Sequence, residues 1–285
     1  MLFDDFHVHT SLSYCTEDPI SARDYAEAIA RGSLRRAAIT NHGFALYFPE
    51  DLAWSWRFMT DPSLFDEHLE WGNRRIVAHL EEVEALRGQG LLTGMEVEMM
   101  ADGRLTVDPR IRDRLDVLVG SVHWLPSEGL DEPRILDLWM DHTRALVRTG
   151  IDILGHPLRW LSTQVPPLPD EAVGFVVEEA REAGVAIEIN SHLVVGSDRA
   201  MLLEAVRRDV PVTFSTDSHC LAEIGRFDYH RKLLDQAGLR PEDLRFWEPR
   251  RRSGATPAAS APSGPGRRRA ASRAGGRKKK LRSEG

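Results

Sequence analysis

Seven short apolar runs punctuate the chain, and each one ends in polar residues. The endings are "HVH" at 7–9, "TNH" at 40–42, "MEVE" at 95–98, "SVH" at 121–123, "GHP" at 155–157, "EINS" at 188–191 and "TDSH" at 216–219. Between them lie stretches with apolar residues at helical spacing, such as "SARDYAEAIARG", "RRIVAHLEEVEALRGQG" and "PRILDLWMDHTRALVRTG". "PDEAVGFVVEEAREAG", "SDRAMLLEAVRRD" and "FDYHRKLLDQAG" repeat the pattern. Ser21 stands where a helix is capped and Gly32 where it stops, while Pro169 and Asp170 are placed to start another. This alternation predicts an α/β fold with a mainly parallel sheet. In such folds the C-terminal strand ends share one face, and in closed barrels that face carries the chemistry. The seven polar tips are therefore expected to converge.

The tips are rich in metal-ligand residue types. Side chains at i and i+2 of a strand point the same way, about 6 to 7 Å apart. His7 and His9 can thus reach one cation at about 2.0 to 2.1 Å. Alone, the pair also suits two half-exposed histidines on an edge strand; its weight comes from company. His42 (beside Asn41), Glu96, His123, His156, Asp217 and His219 all stand at strand ends, and Cys15 follows His9 by six positions. His68, His79, His142 and His230 fall away from the tips and read as surface residues. Cys220 directly follows His219, which leaves two readings for the thiols. Cys15 is a ligand and Cys220 a small packing residue, or the two form a disulfide. Two cysteines make no disulfide framework, so a reducing cytoplasm is expected.

Composition narrows the classes. The sequence is 42% hydrophobic and 28% charged, enough apolar material for a sizeable core. No run approaches the roughly 18 to 20 apolar residues of a membrane span, and no basic start leads into an apolar run, so neither a span nor a signal peptide is expected. The net charge of −7 hides two parts: residues 250–285 hold 12 basic residues and one acid, leaving residues 1–249 at −18. An acidic body argues against a broad nucleic-acid surface and suits a carboxylate-rich cation site. The segment from 250 onward lacks aromatics and is rich in Ala, Gly, Pro, Ser and Arg. It is expected to be a disordered, solvated tail, with nonspecific attraction to nucleic acid as a weaker reading.

The motifs "HVHT", "ITNH", "GMEVE", "GSVHW", "DILGHP", "AIEINS" and "STDSH" occur in an order that resembles the PHP (polymerase and histidinol phosphatase) superfamily. The resemblance covers roughly residues 2 to 248 and is nearest to the stand-alone histidinol-phosphatase branch. It implies a distorted (β/α)7 TIM-like barrel with two or three divalent metal ions at its C-terminal face. It further implies that His7, His9, Glu96 and Asp217 hold one ion, and that Glu96 bridges to a second held by His123 and His156. Cys15, His42 and His219 would hold a third. Two positions depart from the family pattern: Cys15 stands where histidine is frequent, and Asn41 where aspartate is frequent. The cysteine keeps a ligand but softens it, which favours zinc, with manganese or iron as alternatives. The asparagine removes a charge beside His42.

A cluster with a bridging carboxylate suits hydrolysis at phosphorus. His7, His9, Glu96, His123 and Asp217 are the expected catalytic core, acting on a small phosphorylated substrate, most simply L-histidinol phosphate of histidine biosynthesis. Arg159 and Arg226 follow strand ends and are candidates to grip the phosphate. Glu188 and Asn190 are read as residues that orient ligands, together with Asn41. The aromatic-rich insert "HGFALYFPEDLAWSWRFM" either covers the substrate or packs beside the barrel. A phosphodiesterase or 3′-exonuclease acting on nucleotides or DNA is the alternative enzyme. A catalytically inactive metal-binding scaffold is the alternative outside enzymes.

Overall fold

A computed structural model describes residues 2–249 of the protein. The expected basic tail, 250–285, lies outside the described residues. Seven strands follow one another in chain order: β1 (Asp5–Val8), β2 (Ala37–Ile39), β3 (Leu91–Val97), β4 (Val117–Gly120), β5 (Ile153–Leu154), β6 (Ala186–Asn190) and β7 (Val212–Ser215). Each is hydrogen-bonded in parallel to the next. The first and last strands also meet: Asp217 N–H donates to His7 O at 2.9 Å and His9 N–H to Ser218 O at 3.3 Å. The sheet is thereby a nearly closed barrel, the (β/α)7 arrangement expected from the sequence.

The strands are short, so only a few residues of each face the interior. On β6, Ala186, Glu188 and Asn190 alternate onto one face, which changes from apolar to polar toward the C-terminal end. Phe6, Ala38, Val117, Val119, Ile153 and Ala186 form a small apolar cluster of their own. The ring of Trp247 packs edge-on to Phe6 at 5.3 Å, and the backbone N–H of Trp247 donates to Val212 O. Polar tips are thus seated on a dry, filled interior rather than on a pore.

The helices form the outer layer. They are α1 (Ala22–Ala30), α2 (Gly43–Tyr47), α3 (Glu50–Trp54), α4 (Arg57–Thr60), α5 (Ser63–Ala85), α6 (Pro109–Arg112), α7 (Glu132–Val147), α8 (Arg159–Gln164), α9 (Asp170–Ala183), α10 (Asp198–Arg207) and α11 (Asp228–Ala237). Their buried faces, with Tyr25, Ile76, Leu80, Trp139, Val176 and Leu202 among them, join the main core. α1 ends where expected: Gly32 is left-handed at φ 75°, and Ser33 N–H reaches back to Ala28 O at 3.0 Å. α5 starts eleven residues before the periodic stretch 74–90 suggested, because Phe65, Gly72 and Asn73 on its first turns are also buried.

Two of the four histidines expected on the surface are core residues. His79 accepts from Asn41 Nδ2 at 3.2 Å, and His230 donates to Ile189 O at 2.9 Å. His68 and His142 are half-buried. Tertiary packing overrides the helix-surface reading at these positions: one nitrogen of each ring finds a partner from another element, while Nδ1 of both is buried without one. Burial brings the His230 imidazole down to about 4, despite its bond to Ile189 O. Above pH 6.5 it is neutral in both the folded and unfolded states. Between pH 6.5 and 4 only the unfolded chain takes the proton, so stability falls as pH falls. Replacing His230 with Gln is therefore expected to shrink the stability lost between pH 7.5 and 5 by about 2 kcal/mol. Urea unfolding at both pH values checks this; an unchanged difference would contradict it.

Candidate metal centre

The barrel's short strands bring the predicted donors to one place. His7 lies on β1 and Glu96 on β3, while His9, His42, His123, His156, Asp217 and His219 occupy the first residues beyond strand ends. Glu96 stands at the middle, fully buried. Its Oε2 faces His7 Nε2 at 3.1 Å, His42 Nδ1 at 2.6 Å and His9 Nε2 at 3.6 Å. Its Oε1 faces His156 Nε2 at 3.0 Å and His123 Nε2 at 3.3 Å. Asp217 Oδ1 approaches His9 Nε2 at 2.8 Å and His7 Nε2 at 3.5 Å. The donor atoms fall into overlapping triads: His7–His9–Asp217, His7–Glu96–His156, His42–Glu96–His123 and His9–His42–His219.

The backbone is bent to present them. His156 has φ 26° and Asp217 φ 49°, conformations that non-glycine residues adopt only when their surroundings hold them there. Gly155 permits the approach: a Cβ there would lie 2.3 Å from Ser121 Oγ. A Cβ on Gly43, just after His42, would lie 2.5 Å from the Thr106 carbonyl oxygen.

A ring of partners fixes the rings. His7 Nδ1 donates to Glu188 Oε1 at 2.8 Å, leaving Nε2 aimed at Glu96. Glu188 Oε2 accepts the His156 backbone N–H at 2.7 Å and Asn190 Nδ2 at 3.1 Å. His123 Nδ1 donates to Glu98 Oε1 at 3.0 Å, and His219 Nδ1 to Asp217 O at 2.6 Å. Such carboxylate–histidine contacts set the tautomer and present the other nitrogen as a ligand. Asn41 does not touch the His42 ring. Its Oδ1 accepts from Thr10 N–H and Ser13 Oγ, and Ser13 Oγ meets both His9 Nδ1 at 3.1 Å and His42 N–H at 3.2 Å. Asn41 thus acts on His42 through Ser13.

Cys15 lies within electrostatic reach of His42 and His219 but stands outside the triads of converging donor atoms. Burial raises its thiol, but the charge of His42 and the bonds from both histidines outweigh that and bring it down to about 6. The thiolate is the ligating form. Both cysteines are free, so the disulfide reading does not hold. Cys220 is half-buried at the surface end of a loop rather than packed in the core.

Three observations test whether these residues fit cations. His7 Nε2, His42 Nδ1 and Glu96 Oε2 are buried without a hydrogen-bond partner, yet point at one another. Burial opposes ionisation of Glu96 and Asp217, but surrounding histidines hold both well below the usual carboxylate range. His156 is lowered to about 4 by burial and Arg159, so its ring is neutral and ligand-competent. Buried carboxylates, imidazole nitrogens aimed at them and orphaned lone pairs are the donor set of a polynuclear divalent-metal site.

The two arginines separate. Arg159 is largely buried; its Nη2 donates to Asp217 Oδ2 at 2.9 Å, and its Nε is buried without a partner. Arg226, on the loop before α11, is 66% exposed and its side chain pairs with Asp228, with no contact to a donor residue among those described. Four participants escaped the sequence reading: Glu98, Ser13, His192 and Glu223. His192 stacks on His219 at 4.3 Å, and Glu223 accepts from His192 Nδ1 at 3.0 Å and from the His219 N–H at 2.7 Å. Glu98 carried a signal, since it stands two positions from Glu96 on the same strand edge, as His9 does from His7.

The PHP domain family model matches residues 5–192. The chain belongs to the PHP domain family. Among curated relatives, a probable phosphatase of Caldanaerobacter subterraneus subsp. tengcongensis is 28% identical over 255 residues, covering 84% of this chain and 85% of that one. A probable phosphatase of Escherichia coli O139:H28 is 27% identical over 259 residues, covering 87% and 91%. The crystal structure of the Lactococcus lactis histidinol phosphate phosphatase, complexed with zinc, L-histidinol and phosphate, superposes with a TM-score of 0.50. It is 19% identical and covers 84% of this chain and 94% of that one, a likeness of fold. The PHP fold and the phosphatase names of the relatives support a phosphatase or related hydrolase. No helix among the described residues is long and apolar enough to cross a membrane.

Replacing Glu188 with Ala removes the acceptor of His7 Nδ1 and is expected to weaken metal affinity about 10- to 100-fold with the barrel intact. Metal titration followed by plasma mass spectrometry, beside circular dichroism, reads both. Unchanged affinity would contradict the orienting role.

Proposed function

We propose that this PHP domain is a metal-dependent phosphatase acting on a phosphate monoester, with L-histidinol phosphate as the simplest substrate. The observation that carries the reading is the split of Glu96, whose two oxygens face different histidines. That is the arrangement of a carboxylate shared between cations. His7, His9, Glu96 and Asp217 would hold one ion, and Glu96, His123 and His156 a second. Cys15, His42 and His219 would hold a third. The Cys15 thiolate favours zinc among them, with manganese or iron as alternatives. When bound, such ions supply Lewis acidity and hydroxide from water at neutral pH.

The chain's own residues do the rest. Glu188 and Glu98 hold the His7 and His123 rings in their ligating orientation. Arg159, anchored on Asp217, has its free Nε–H to donate to a phosphoryl oxygen as negative charge grows there. The buried walls keep bulk water from screening that contact. The identity of the Lactococcus lactis structure, a histidinol phosphate phosphatase, motivates the choice of first substrate.

Metal-loaded protein is expected to release inorganic phosphate from L-histidinol phosphate. Asp217→Ala and His123→Ala are each expected to lose on the order of 10²- to 10³-fold in kcat while remaining folded. Turnover of other monoesters but not this one would remove the substrate assignment and keep the phosphatase. Release of phosphate from no monoester, or full activity in both variants, would overturn the reading.

A further inference from the structure

The insert after β2 is more than packing. Phe44, Tyr47, Phe48 and Phe58 of α2–α4 are buried, as a helix beside the barrel requires. Two of its rings, however, lie directly on donor histidines. Phe44 stacks on His42 at 4.5 Å with planes 19° apart, and Trp56 stacks on His123 at 6.0 Å, also 19° apart. Phe44 also meets Trp56 at 4.9 Å and Trp54 at 5.5 Å. Phe44 is buried, Trp56 half-buried and Trp54 43% exposed, so the chain of ring contacts leads from the donor cluster out to solvent.

Trp56 sits in a left-handed conformation, φ 56° and ψ 11°, rare for a bulky residue. Its surroundings hold it there, and the result is a ring parallel to His123. Other exposed apolar side chains stand on segments that follow strand C-termini. Of six exposed large hydrophobics among the described residues, Trp54 follows β2, Leu193 and Val194 follow β6, and Leu221 follows β7.

We propose that Trp54 and Trp56, backed by the buried Phe44 ring, form a subsite for the alcohol portion of the substrate, and that this portion is apolar or aromatic. This rests on the phosphatase reading above: a phosphate at the donor cluster places its ester substituent beside these rings. Flat apolar groups stack there and leave water, whereas a polyol gains no such contact.

The test compares 2-phenylethyl phosphate with glycerol 1-phosphate, both esters of primary alcohols. Wild type is expected to favour the phenylethyl ester in kcat/KM by tenfold or more. Trp54→Ala and Trp56→Gly, the latter keeping the left-handed backbone available, are each expected to cut that ratio severalfold, and together to abolish it. Trp71→Ala, on α5 with its ring under Arg75, is expected to leave the ratio unchanged. In parallel, calorimetry of 2-phenylethylphosphonate against methylphosphonate reads binding without turnover and should show the same order. A ratio near one in wild type, or one that survives both substitutions, would overturn the subsite. If no ester were hydrolysed, the phosphatase reading would fall, and the phosphonate preference and its loss in the variants would decide the subsite alone.

Discussion

The Glu96 side chain has no exposed surface, and an ionised carboxylate so placed is stable only with positive charge facing it. Asp217 and Glu188 are buried within the same few ångströms, so the barrel mouth concentrates three anions where water cannot screen them. Hydrogen bonds alone do not resolve this, because Glu96 Oε2 and His7 Nε2 lack partners. Divalent cations would resolve it. Their charge would offset the carboxylates, and the unpartnered nitrogens would become ligands.

The fold serves that convergence. Seven parallel strands deliver their C-terminal ends to one rim, and the pairing of the segments beyond β1 and β7 brings Asp217 and His219 against His7 and His9 across more than two hundred residues of chain. Three of the four non-glycine residues with positive φ among the described residues, His156, Asp217 and Trp56, follow strand C-termini; the fourth, Asp209, precedes β7. The fold also puts aromatic rings of the α2–α4 segment against His42 and His123, so one insert both seals the core and shapes the mouth.

Much of this was legible in the sequence because strands have a short period and a sharp end. A polar residue closing an apolar run marks a tip, and seven tips in an α/β alternation imply one face. His7, His9, His42, Glu96, His123, His156, Asp217 and His219 were found that way. What escaped depends on distance in space. His79 and His230 look like helix-surface residues until Asn41 and the Ile189 carbonyl are seen to bury against them. Arg159 and Arg226 look alike in sequence, but their partners differ: the first pairs with the buried Asp217 of the site and the second with the exposed Asp228. His192 and Glu223 lie on loops whose shape no periodicity records.

Element-specific anomalous diffraction from crystals of the purified protein tests the convergence most directly. Discrete peaks are expected on both sides of the Glu96 carboxylate, one toward His7, His9 and Asp217 and another toward His123 and His156. Crystals grown with divalent metal present that showed no peak within ligand distance of Glu96 would contradict it.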